Sequence, residues 1–119
     1  MKRAVPIIVD LVCVVIFAII GRASHGLDPA GVLSTAWPFL VACVVAWVAI
    51  VLVKLEGFGW REALIVWLVT VIGGMALRLL SGDTAAWAFV IVATLTLALA
   101  FFGWRIIYCL AVKRRARAA

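Results

Sequence analysis

Long runs of apolar residues alternate with short polar breaks along the chain. Four runs cover residues 5–24, 36–54, 62–80 and 85–112, and a basic tail follows at 113–119. Each is close to or longer than the roughly 20 residues that a helix needs to cross a bilayer. The breaks contain Gly, Pro, Asp and Ser, which favour chain reversal. The pattern predicts an all-α fold in which one domain of four transmembrane helices forms a bundle.

The composition supports this interpretation. Hydrophobic residues make up 69% of the chain and charged residues 13%. A soluble domain is typically about half apolar, because polar surface must cover its core. Backbone groups that face lipid must be satisfied within the chain, so each run is predicted to be helical although Val and Ile are frequent. The chain is therefore expected to be an integral membrane protein without a separate soluble domain.

The distribution of Lys and Arg predicts the orientation. With the N-terminus inside, eight basic residues lie on the inner side and two on the outer side. Cytoplasmic segments carry such an excess, so both termini are predicted to be cytoplasmic. The basic tail is expected to contact anionic lipid headgroups, and nucleic-acid binding is not expected. The tail residues are Lys113, Arg114, Arg115 and Arg117.

Two ionisable residues lie inside the apolar runs at similar depth, Asp10 in the first and Arg105 in the fourth. A charge at the centre of a span costs at least ~2.5 kcal/mol, so each needs a partner or a purpose. An Asp10–Arg105 pair is therefore predicted. It is either a structural link between the first and fourth helices or a proton- or ion-linked site. For a structural link, Asp10→Asn is expected to lower stability, and exchange of the two residues is expected to restore part of it.

A second group of ionisable residues is predicted near the outer face. Arg22, His25 and Arg78 together suit an anion or a lipid headgroup, through charge-assisted hydrogen bonds. In the alternative, both arginines extend to the interface and pair with Asp28 or Asp83.

No catalytic centre is predicted. The odd number of cysteines and their positions in apolar runs give neither a disulfide framework nor a metal-ligand spacing. The single His lacks nearby acidic ligands and a nucleophile arrangement. We therefore expect no metal, no cofactor and no enzymatic activity.

The two halves of the chain resemble each other. Arg22 and Arg78 each precede a Gly by four residues, and an Ala-Trp-x-Phe element occurs at 36–39 and at 86–89. This predicts two tandem helical hairpins as a parallel internal repeat, with chance similarity as the alternative.

Small and aromatic residues mark packing and interface positions. Pro38 is expected in the first turn of the second helix. The residues predicted for close helix packing are Ala42, Ala46, Gly73 and Gly74. The predicted interface anchors are Trp37, Trp60, Trp87 and Trp104.

Several of these elements recur together in a known pattern. They are Asp10, Phe17, and the segments 21–25, 35–39, 70–78 and 103–105. In this order they resemble the domain-of-unknown-function 3054 family of small prokaryotic membrane proteins, from about Val5 to Tyr108. The resemblance implies a bacterial or archaeal origin and a cytoplasmic membrane location, and it assigns no activity to any residue.

Two functions fit the sequence. One is a small transporter or permease-like module, with a path that forms most simply in a homodimer. The other is a non-catalytic accessory or structural protein that packs against a larger complex or anionic lipid.

Overall fold

The computed structural model describes residues 3–22, 28–82 and 87–118. Four helices cover nearly all of them, and these ranges contain no strand. The helices are α1 (Ala4–Arg22), α2 (Pro29–Leu52), α3 (Trp60–Leu80) and α4 (Trp87–Ala118). Each is long and apolar enough to cross a membrane. The predicted all-α four-helix fold is confirmed, and it indicates a multi-pass membrane protein.

The helices form a closed ring. Each packs against its neighbours in the chain, and α4 returns to pack against α1. Consecutive helices run in opposite directions. The proximal end of the bundle therefore holds the start of α1, the α2–α3 connection and the second half of α4. The distal end holds the end of α1, the start of α2, the end of α3 and the start of α4.

The start of α2 is set by an Asp-Pro pair. The Asp28 side chain caps the helix by accepting a hydrogen bond from the Gly31 N–H (2.9 Å). Pro29 follows at the first helical positions, where its missing N–H costs nothing. The helix therefore begins seven residues before the predicted span. The placement of Pro38 in the first turn is wrong, because Pro38 is buried inside α2.

The α2–α3 connection is a short capped turn. Lys54 adopts a positive φ of 62°, and its N–H donates to the Val51 carbonyl (3.1 Å). The Leu55 N–H donates to the Ile50 carbonyl (3.1 Å), which completes the Schellman pattern of a helix C-terminus. At the start of α3, the Glu62 carboxylate accepts from the Gly59 N–H (3.3 Å) as in a capping box.

Small residues allow α2 and α3 to approach closely. A Cβ on Gly73 would lie 3.1 Å from the Ala42 Cβ, and one on Gly74 would overlap the Phe39 ring. Ala42 and Ala46 are buried on α2. The predicted packing residues thus lie in the bundle interior or at this contact. Phe39 also joins Phe17 and Phe89 in an aromatic cluster at the distal end, with ring centroids 5.1–6.1 Å apart.

The aromatic cluster bears on the proposed repeat. Phe39 and Phe89 occupy equivalent places in the two Ala-Trp-x-Phe elements, and their ring centroids are 6.1 Å apart. The internal duplication itself stays a prediction.

The C-terminal part of α4 extends beyond the rest of the bundle. The whole of α4 has 32 residues, which give a length of about 48 Å. All residues from 106 to 118 are exposed. Asp10 lies six residues after Ala4, and six residues after Arg105 is Ala111, so the basic tail begins just beyond the level of the start of α1. Arg3, Lys54 and Arg61 lie at this same proximal end.

Candidate functional site

The Asp10 carboxylate is the centre of a buried polar network at the proximal end. Its side chain is 0% exposed, about 9 Å along α1 from Ala4. The Oδ1 atom accepts hydrogen bonds from Arg105 Nη1 (2.9 Å) and from the Trp104 indole (2.9 Å). The Oδ2 atom accepts from Arg105 Nη2 (2.7 Å) and from the Trp47 indole (3.0 Å). Four donors therefore occupy both oxygens.

All three side-chain nitrogens of Arg105 also have hydrogen-bond partners. Besides the bidentate bond to Asp10, its Nε donates to the Gly57 carbonyl (2.9 Å), and its Nη1 also donates to the Phe101 carbonyl (3.1 Å). The guanidinium carbon lies 4.5 Å from the centre of the Trp104 ring, which adds a cation–π contact. The planar guanidinium meets these acceptors in one fixed orientation, which an ammonium group does not reproduce.

The α2–α3 connection closes over this pair. The buried Gly57 offers its carbonyl to Arg105, and its N–H donates to Glu62 Oε2 (2.8 Å). Its φ of +120° favours glycine, and a Cβ there would overlap the Trp47 ring. Gly57 therefore fills a position that no larger residue fits, and it connects Arg105 to the capping carboxylate of α3.

These groups form one unit, which we call the Asp10 network: Asp10, Trp47, Gly57, Glu62, Trp104 and Arg105. They come from all four helices and from one connection. Buried charges are tolerated when good geometry and further hydrogen bonds compensate for lost solvation. The Asp10 network meets that condition, so it fixes the helices relative to one another at the proximal end.

An aromatic layer lies beside the Asp10 network at the proximal end. The Phe58 ring stacks on Tyr108 with centroids 4.5 Å apart and meets Trp104 edge-on at 6.0 Å. Trp104 and Tyr108 also contact each other at 6.5 Å. The layer joins the α2–α3 connection to α4 and adds apolar cover beside the ion pair.

The structure places the predicted tryptophan anchors in different settings. Trp60 and Trp87 are the first residues of α3 and α4 and are 66% and 83% exposed, positions that suit an interface. Trp37 lies farther along α2 and is 38% exposed. Trp104 differs from the predicted role, because its indole turns into the bundle and donates to Asp10.

The sequence predicts that Asp10 and Arg105 pair, but it does not predict their other hydrogen-bond partners. Trp47 reads as one more apolar residue in a hydrophobic run. A signal was present, because Trp47 lies about as far from the end of α2 as Asp10 lies from the start of α1. A buried indole N–H also needs an acceptor. Gly57 and Glu62 depend on the backbone path of a connection, which hydropathy does not describe.

The second predicted group is arranged differently. Arg22 Nη2 lies 3.3 Å from Asp28 Oδ1, and the guanidinium covers Gly31 at the start of α2. The Arg78 guanidinium carbon lies 4.3 Å from the centre of the Phe89 ring on α4. His25 and Asp83 lie outside the described residues. The Arg22–Asp28 contact matches the alternative in which an interfacial arginine pairs with a nearby carboxylate.

The Asp28 carboxylate is perturbed by its cap. The hydrogen bond from the Gly31 N–H, assisted by Arg22, holds the pKa of Asp28 below its ordinary value of 3.8. The Asp28 side chain is 59% exposed, so this pair belongs to the surface of the bundle.

Two further features bear on ligand chemistry. In the parts of the chain that the structure describes, no group of three His, Cys, Asp or Glu residues is placed to hold a metal ion. Two surface depressions are apolar grooves between α1 and α2, one near each end of the bundle.

Comparison with protein-family models matches residues 7–108 to the family described as Protein of unknown function (DUF3054). No curated protein and no solved structure matches the chain. The matched region covers most of the chain and contains every member of the Asp10 network. The chain therefore belongs to the DUF3054 family.

Proposed function

We propose that this chain is a non-enzymatic structural or accessory protein of a prokaryotic cytoplasmic membrane. Its bundle is held rigid by the Asp10 network. Its basic proximal end faces the cytoplasm and contacts anionic lipid headgroups. Packing against a second copy or a larger membrane complex belongs to the same proposal.

The observation that carries this proposal is the saturation of Asp10. A carboxylate that carries a proton or a cation must expose an oxygen at some stage of its cycle. Asp10 is wholly buried, and both of its oxygens already accept two hydrogen bonds. Releasing it requires separation from Arg105, which costs several kcal/mol for a buried ion pair. This favours a structural role over the transporter alternative.

The distribution of basic residues supports contact with lipid. Each Lys or Arg near an anionic membrane surface contributes about 1 kcal/mol of attraction. The tail residues Lys113, Arg114, Arg115 and Arg117 lie at the proximal end and are exposed. Their helix continues without interruption from the apolar part of α4, so they lie where that helix leaves the hydrocarbon region.

Flux through proteoliposomes tests the proposal. The purified protein is reconstituted into vesicles of phosphatidylcholine and phosphatidylglycerol that contain a pH-sensitive or an anion-sensitive dye. We expect proton and chloride flux no higher than in vesicles without protein. Flux above that control would overturn the structural role, and its loss in an Asp10→Asn protein shown to be folded would assign the coupling to Asp10.

A further inference from the structure

An apolar groove between α1 and α2 leads to the proximal end. It has a volume of about 320 Å³, and its lining includes Ile7 and Leu11 from α1 and Val48 and Leu52 from α2. Trp47 forms part of its wall while its N–H points inward to Asp10. The groove therefore has an apolar surface toward the membrane, and the Trp47 ring lies between it and the buried ion pair.

The proximal mouth of the groove carries Arg3. Arg3 precedes Ile7 by one helical turn, and its Nε donates to the Leu55 carbonyl (3.0 Å), just beyond the end of α2. This bond holds the guanidinium between the two helices that form the groove. Among the described residues, no partner is found for its two Nη groups.

A second cation at the mouth occupies an unfavourable backbone conformation. Lys54 is exposed and has a φ of 62°, at the helix-capping position where glycine is usual. A residue with a side chain adopts the left-handed region only at an energetic cost. The next residue, Leu55, accepts the Arg3 bond, so Lys54 and Arg3 are neighbours. Glu56 follows and is also exposed, which leaves the three groups with one net positive charge.

We infer that this groove binds an acyl chain of an anionic phospholipid, whose phosphate is held by Arg3 and Lys54. The inference rests on the proposed contact of the proximal end with anionic lipid and gives that contact a defined site. The apolar lining suits a hydrocarbon chain, and two cations at its membrane-surface end suit a phosphate. Because the mouth carries net positive charge, a headgroup with net negative charge is favoured over a zwitterionic one.

Lipid titration of the intact protein in detergent tests the inference. Melting temperature is measured against added phosphatidylglycerol, phosphatidylcholine or sn-glycerol 3-phosphate. Phosphatidylglycerol is expected to raise the melting temperature at lower concentration than phosphatidylcholine, and glycerol phosphate to have no effect. The double variant Arg3→Gln with Lys54→Gln should raise the half-saturating phosphatidylglycerol concentration roughly 30-fold. Glu56→Gln removes a negative charge from the mouth and should lower this concentration.

Matched controls separate this site from general attraction. Arg114→Gln with Arg115→Gln removes the same charge from the tail and should leave the phosphatidylglycerol response within about twofold of wild type. Val48→Trp fills the groove and should abolish the response, whereas Leu95→Trp, on an exposed face of α4, should preserve it. Lys54→Gln alone serves if loss of the Arg3–Leu55 bond impairs folding.

Three results would overturn the inference. They are equal responses to the two phospholipids, an equal loss in the tail control, and a response to glycerol phosphate as large as that to lipid. None of them alters the flux result, so failure of this site and failure of the structural role are distinguishable.

Discussion

Among the described residues, an arginine–aspartate pair lies at each end of the bundle, and these two pairs differ in almost every respect. At the proximal end, Arg105 contacts Asp10 at 2.7 Å and the side chains are 3% and 0% exposed. At the distal end, Arg22 contacts Asp28 at 3.3 Å and the side chains are 28% and 59% exposed. The first pair joins α1 to α4 through a bidentate bond, whereas the second joins the end of α1 to the cap of α2.

The two pairs carry the same charges but lie in different environments, so the comparison shows what the environment contributes. Water competes for the distal pair, so this pair contributes little to stability. The proximal pair is shielded from water. Loss of one partner therefore leaves the other charge buried and uncompensated. The structural importance of an ion pair therefore follows from its burial and its additional hydrogen bonds.

Asp10→Asn should produce the largest effect. The amide keeps the shape of the side chain but removes the charge that compensates Arg105, and its NH₂ group faces donors. We expect a loss of about 3–5 kcal/mol in the free energy of unfolding, measured by denaturant titration in detergent micelles. Asp28→Asn, which keeps a good helix cap and removes only a surface ion pair, should cost far less. Equal losses at the two ends would contradict the comparison.

Exchange of the proximal pair should give no rescue. In a protein with Asp10→Arg and Arg105→Asp, the indole N–H groups of Trp47 and Trp104 would point at a guanidinium, which accepts no hydrogen bond. The sequence alone had suggested partial recovery, because it showed only the two charges. We now expect the exchanged protein to be no more stable than Asp10→Asn. Recovery of more than half of the loss would show that the indoles are unimportant.

Arg105→Lys tests the geometry of the buried pair, because it keeps the charge. Lysine reaches one carboxylate oxygen but does not serve Asp10, Gly57 and Phe101 together, as Arg105 does. We expect a loss of about 2–3 kcal/mol by the same titration, since polar groups remain buried without partners. The exposed Arg61→Lys is the control and should change stability by less than about 0.5 kcal/mol. A loss below 1 kcal/mol for Arg105→Lys would mean that charge alone holds the pair.

Much of the fold could be predicted from the sequence because one physical rule dominates it. A lipid-facing backbone must form helices, so hydropathy located four of them, and the cost of buried charge indicated that Asp10 and Arg105 should meet. The rule does not describe helix caps, so the start of α2 at Pro29 was missed although Asp28 precedes it.

The Gly-Trp-Arg sequence occurs twice and marks the limit of local reasoning. Gly59-Trp60-Arg61 opens α3, where the Trp60 ring is exposed and Arg61 lies 5.6 Å from its centre. Gly103-Trp104-Arg105 lies inside α4, where both side chains turn toward Asp10. Three identical residues thus have opposite surroundings. The choice depends on which helix face meets α1, and this is a property of the assembled bundle.

Trp104→Phe tests that contrast with a smaller expected effect. Phenylalanine keeps most of the aromatic contact but removes the N–H that donates to Asp10 Oδ1. A hydrogen bond to a charged group contributes about 1.5–3 kcal/mol, so we expect a loss of unfolding free energy near the lower value. Trp60→Phe, at the matching position of the other Gly-Trp-Arg, should fall within about 0.5 kcal/mol of wild type. Indistinguishable variants would refute a role for the buried indole.

The smallest effect should come from pH at the distal end. The Gly31 N–H and Arg22 hold the pKa of Asp28 below its ordinary value of 3.8, so the folded protein favours the charged carboxylate. The resulting stabilisation is present above the unfolded-state pKa and is lost as the pH falls through the lower folded-state value. Melting temperature in detergent should therefore fall less on acidification in Asp28→Asn than in wild type. Identical acid profiles would show that the cap does not depend on the carboxylate charge, and the distal pair would then matter even less beside the buried one.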